Sequence, residues 1–199
     1  MRRTIKFVAV LGAALALTAT GVAGAHRDAG HQGKRGHSKS LAAQLAAARL
    51  ATAKYATSLE AAKADGYQII TKMIPDMGYH FLNPSITGFD VTKPPILVYV
   101  RRGDQWQLGA FEWVFTERPA KRPLKGARYG SFPAACHYVD GTFVEAPTQA
   151  DCAATSPESG AAFNFWHPRL VTLHVWLWYP NPKGLYSGMN PLVSPFNGS

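Results

Sequence analysis

The sequence predicts an α+β domain in which one long N-terminal helix packs on a curved antiparallel sheet, a cystatin-like or similar roll with long Pro- and Gly-rich loops. Three observations predict it. Apolar residues recur at helical steps between Ser40 and Asp65. After Gly66 the chain changes to short β-branched and aromatic runs. Pro, Gly and Asp-Gly stretches separate those runs, and one helix followed by several strands is the order of an α+β chain rather than of alternating βαβ units.

In the helix, Leu41, Leu45, Ala48, Thr52, Tyr55, Leu59 and Ala62 follow one another at steps of four and three, which places them on one face. Ser40 is suited to cap the start and Gly66 to stop the end, and Ala fills much of the rest. Arg49, Lys54, Glu60 and Lys63 fall off the apolar face.

Two short strands are expected at 67–71 and 79–82. Residues 96–100 and 106–115 read as a hairpin around the turn Arg101-Arg102-Gly103-Asp104-Gln105. A second hairpin is expected where Asp140-Gly141 sits between Tyr138-Val139 and Thr142-Phe143. The last long strand is expected at 170–179. Stretches 84–95, 117–133 and 145–161 read as loops, and the chain from Asn181 as irregular surface cover.

The ends of the chain carry a different signal. Arg2, Arg3 and Lys6 precede an apolar run of about 13 residues, short of the roughly 20 needed to cross a bilayer. Ala23-Gly24-Ala25 then gives the small-x-small exit of a secretory signal. Residues 1–25 are therefore expected to be a signal peptide. Residues 26–39 are Gly, His and base with almost nothing apolar, so a disordered linker is expected there. Residues 40–199 form a single domain, and the protein is expected outside the cell, with no transmembrane segment once mature.

The formal charge of +9 is unevenly placed. From Tyr55 onward there are 12 bases and 11 acids, so the folded body is nearly neutral. That argues against a nucleic-acid partner, which needs a basic face on the fold itself. The basic tail suits solubility or contact with anionic cell-envelope polymers. Cys136 and Cys152 are the two cysteines. In an exported chain an even count favours a disulfide, worth about 3 kcal/mol for a loop of this size.

Strand alternation assigns faces. Val171, Leu173, Val175, Leu177 and Tyr179 are expected to point one way, and Thr172, His174, Trp176 and Trp178 the other. Trp106, Leu108, Ala110, Glu112 and Val114 are expected to share a face, which leaves Glu112 as a lone carboxylate in an apolar row. A buried carboxylate needs a partner. His80, in Met77-Gly78-Tyr79-His80-Phe81, completes a set of two imidazoles and one carboxylate on three strand-like segments. Such a set is a common shell for zinc or non-haem iron, and copper also accepts imidazole. The plainer reading, which comes first, is a hydrogen-bonded His–Glu pair in the core.

Trp166, His167, Trp176 and Trp178 are candidates for the wall of a ligand pocket, and His137 and His167 are read as loop residues, either of which could reach a site. No G-x-S-x-G elbow and no Gly-rich phosphate loop is present.

The stretches MGYHFLNP (77–84), FEWVF (111–115) and HPRLVTLHVWLWYPNPKGLYSGMNPLV (167–193) carry a resemblance. Over 50–196 the chain resembles an uncharacterised family of secreted proteins from high-GC Gram-positive bacteria. The resemblance implies export and a shared fold, not a reaction, and its hallmark elements fall on His80, Glu112 and His174. Three functions remain open at this point: a secreted domain with a His/Glu site for a metal or small ligand, a module that binds cell-envelope glycans or apolar ligands through its aromatics, and an exported structural protein.

Overall fold

The computed structural model describes residues 40–198. The expected signal peptide (1–25) and linker (26–39) lie outside the described residues. No helix among the described residues is long and apolar enough to cross a membrane.

The expected long helix is two short ones: α1, Leu41–Ala51, and α2, Leu59–Ala64, with a single 3₁₀ turn at Ala53–Tyr55 between them. The reason lies in side chains that compete with the helix. Thr52 Oγ1 donates back to the Ala48 carbonyl at 2.8 Å, an arrangement that bends helices. Ser58 Oγ accepts from Ala61 N at 3.1 Å and so starts a new helix. The break also frees carbonyls for the sheet. Tyr55 O accepts from the Tyr99 hydroxyl at 2.9 Å, and Ala56 O accepts from Leu108 N at 2.9 Å. A continuous helix would have used both carbonyls internally. The apolar face survives the break, because Ala48, Tyr55, Leu59 and Ala62 are all buried against the sheet.

The strands are β1 Gln68–Ile74, β2 Gly78–Leu82, β3 Ile96–Arg102, β4 Gln105–Phe115, β5 Gly130–Phe132, β6 Ala135–Tyr138, β7 Phe143–Glu145, β8 Phe163–His167 and β9 Leu170–Val175. They form a curled six-stranded sheet, β1-β2-β3-β4-β9-β5, and a three-stranded one, β7-β6-β8. Every pairing is antiparallel. The single expected roll is thus joined by a second small sheet, tied to β1 through Lys72 N, which donates to Gly141 O at 2.7 Å.

The faces of β4 differ from simple alternation. Val98 pairs with Ala110 but Tyr99 pairs with Leu108, so Gly109 is an extra residue, a β-bulge. Upstream of it Trp106 and Leu108 pack on the helix side. Downstream, Ala110 and Val114 pack on the opposite side, and Glu112 goes with them. The bulge has a visible support: Gly109 O accepts from both Trp178 N and Tyr179 N. Those bonds also draw the chain out of the β9 ladder after Val175, so the last strand is shorter than expected.

The curled sheet therefore has two buried faces. One, with Phe81, Leu97, Tyr99, Phe111, Trp113, Leu173 and Val175, packs on the helices. The other holds Ile70, Ile96, Val98, Val100, Ala110 and Trp176. The Cys136–Cys152 disulfide, with a Cα separation of 5.6 Å, ties β6 to the loop after β7.

Candidate metal centre

Three strands deliver the three ligand-type residues to one place. Glu112 on β4 stands directly opposite His174 on β9. Directly opposed residues of an antiparallel pair project from the same face. His80 on β2 stands opposite Val98, which stands opposite Ala110, two residues from Glu112 on the same face. His80 also pairs across β1 with Thr71. Gly78 opens β2 at φ 119°, where an added Cβ would meet the Tyr99 carbonyl oxygen at 2.5 Å. Only glycine fits that entry, two residues before His80.

The donor atoms converge. His80 Nε2 lies 3.5 Å from one carboxylate oxygen of Glu112, and His174 Nε2 lies 3.6 Å from the other. All three ligand atoms lie within 4.8 Å of one another. The two rings are nearly perpendicular, at 84°. The residues are buried, with 3 %, 7 % and 5 % of their surface exposed for His80, Glu112 and His174.

The contacts are too long for hydrogen bonds. His174 Nε2 has no hydrogen-bond partner at all, a costly state for a buried polar atom. The separations instead match donors around one ion: two atoms each about 2.1 Å from a tetrahedral metal lie about 3.4 Å apart. His80 is held from behind. Its Nδ1 lies 2.8 Å from Thr71 Oγ1, which also accepts from the His80 backbone N–H at 3.2 Å. With Nδ1–H donating to Thr71, the lone pair of Nε2 faces inward, the outer-shell arrangement of metal-binding histidines.

Burial sets the charges. It lifts the Glu112 carboxyl to about 8 and lowers the His174 imidazole to about 4. Burial and the neighbouring His174 lower His80 to about 3. Without a cation the three groups are thus mostly neutral near pH 7, and a divalent cation would restore the carboxylate charge.

The three residues line an apolar cavity of about 250 Å³. Ile70, Ile96, Val114, Phe132, Phe165 and Leu170 supply much of its wall. His137 and His167 line it as well. Both differ from expectation: they are strand residues on β6 and β8, not loop residues, and their Nε2 atoms meet at 3.0 Å. His137 Nδ1 lies 2.7 Å from Ile70 O, and His167 Nδ1 lies 2.7 Å from Pro168 O. The alternation of Phe163, Phe165 and His167 carried a strand signal that the run of aromatics obscured.

The tryptophans lie elsewhere. None of Trp166, Trp176 and Trp178 lines this cavity. Trp166 Nε1 donates to Ala146 O at 3.0 Å, beside the disulfide. Trp176 is buried and donates to Ser187 O at 2.6 Å. Trp178 sits on the helix side, donating to Thr52 Oγ1 at 3.1 Å beneath the Arg49 guanidinium, because β9 ends before it and the alternation no longer applies. Compared with protein-family models, with curated proteins and with solved structures, the chain matches none.

Proposed function

We propose that this is an exported protein that holds one divalent cation on His80, Glu112 and His174. The observation that carries the reading is the unpartnered Nε2 of His174 facing a buried Glu112 carboxyl that makes no hydrogen bond to either imidazole. Two imidazoles and a carboxylate leave coordination positions free for water or substrate, and the set suits zinc or iron(II), with copper next. Such an ion, once bound, supplies Lewis acidity or an activated water. The chain's own residues orient it: Thr71 fixes the His80 ring, and the β4–β9 register fixes Glu112 against His174.

Export is part of the proposal. The N-terminal charge and apolar pattern supports it, as does the disulfide. A self-satisfied His–Glu core pair is less well supported, because its members stand too far apart to satisfy one another. A glycan platform is less well supported too: Trp166, Trp176 and Trp178 turn their indole N–H groups to internal acceptors.

The test is metal analysis of the purified chain after equilibration with zinc, iron(II) and copper in turn and removal of unbound ion. About one ion per chain is expected, and none in His174→Ala. A wild-type chain that retains no metal under any of the three would end this reading.

A further inference from the structure

The cavity above the three ligand residues has its own chemistry. Among the described residues, no Lys, Arg or Asp lines it, and Glu112 is its one acid. A phosphate, a polyol or a free amino acid would find few partners there. An apolar cavity of about 150 Å³ holds benzene, so 250 Å³ accommodates a single ring with a short substituent. The inner end, at His80, Glu112, His174 and Ile96, is buried, while Ile74, Met77, Phe132 and Leu170 are half-buried and Ser131 is exposed. That gradient gives the cavity a mouth at Ser131.

The two histidines in its wall define what else the ligand carries. Each Nδ1 faces a carbonyl oxygen, which can only accept, so each Nδ1 holds its ring's proton. Two neutral imidazoles then present bare Nε2 lone pairs to each other at 3.0 Å. Two acceptors at that distance repel unless they share a proton, either taken up by one of the rings or donated to both from the side by a bound group. His137 is also fixed in place: it stacks on Phe165 at 4.6 Å with the rings 7° from parallel.

We infer that the cavity binds a small, largely hydrocarbon molecule of single-ring size that carries one hydroxyl or N–H group, donated to the His137–His167 pair. This deepens the metal-site reading and rests on it for the reactive end, which faces His80, Glu112 and His174. Binding itself depends on cavity and histidine pair, so it is measured on the metal-free chain and fails or succeeds separately from metal retention.

The probes are p-cresol and toluene, which differ by one hydroxyl, titrated calorimetrically into the purified, metal-free chain. Both are expected to bind one to one, p-cresol about fivefold tighter for the hydrogen bond it gains. Ser131→Trp, at the exposed mouth, is expected to weaken both by about tenfold or more. His167→Phe keeps a ring beside Phe132 and removes one acceptor. It is expected to lower p-cresol affinity several-fold and to leave toluene unchanged, which also shows that the variant is folded. No binding of either probe, or binding indifferent to Ser131→Trp, overturns the cavity assignment. Equal binding of the two probes, unaffected by His167→Phe, overturns the role of the histidine pair.

Discussion

Glu112 and His174 are direct cross-strand partners, and the carboxylate of one meets the Nε2 of the other at 3.6 Å inside the protein. No hydrogen bond closes that gap, and the proposed cation is the third participant that would fill it. The testable consequences follow from what that participant must displace, what holds the ligands and what holds the strands.

Metal binding must displace a proton. Burial places the Glu112 carboxyl at about 8, while both imidazoles lie far lower and are neutral at pH 7. Cation affinity is therefore expected to rise about tenfold per pH unit up to about pH 8 and then level off. Calorimetry in buffers of different ionisation heats is expected to show about one proton released per ion at pH 7. Proton release near zero would mean that Glu112 is already ionised before the ion arrives, or that it does not ligate it.

The same carboxyl affects the metal-free fold with a definite sign. Its pKa is raised in the folded state from the ordinary 4.5, so its contribution to stability is present below that value and is lost as pH rises through about 8. Urea unfolding of the chelator-treated wild type is expected to show this loss between pH 6.5 and 8. Glu112→Gln is expected to lack it.

Thr71 acts on the site through His80. Thr71→Val removes the hydroxyl at Nδ1 without changing the shape of a buried side chain. Zinc affinity, measured by competition with a chromophoric chelator, is expected to fall about 10- to 100-fold, and stability by about 1–3 kcal/mol, because His80 Nδ1–H and the His80 backbone N–H lose their buried acceptor. Unchanged affinity would show that the hydroxyl does not orient the ring.

The entry to β2 is expected to be intolerant. Gly78→Ala would place a Cβ 2.5 Å from the Tyr99 carbonyl oxygen at a φ of 119°. A loss of more than about 1 kcal/mol in urea unfolding is expected, with a loss of metal binding as His80 shifts. Reduction of Cys136–Cys152 is expected to cost about 3 kcal/mol in the same assay while leaving the ligand strands paired.

How much of this was legible in the sequence can be read from particular residues. The helix face from Leu41 to Ala62 was legible because burial follows periodicity even where the helix itself breaks. The break was not, because it depends on Tyr99 and Leu108 reaching carbonyls at Tyr55 and Ala56, contacts between residues more than forty apart in sequence. The convergence of His80, Glu112 and His174 was legible from strand alternation. Its success for Glu112 was partly fortuitous, since the bulge at Gly109 puts Trp106 and Leu108 on the other face. Trp178 was misplaced for a related reason: the bonds to Gly109 O end β9 early. The His137–His167 pair escaped notice because β6 and β8 are short and meet only through a second sheet, which no local pattern announces.

A crystal of the protein equilibrated with zinc gives the most direct test. Anomalous scattering at the zinc edge is expected to show one site, about 2.0–2.2 Å from His80 Nε2, His174 Nε2 and a carboxylate oxygen of Glu112. An ion bound only elsewhere, or the three side chains unchanged around an empty centre at saturating zinc, would contradict the account.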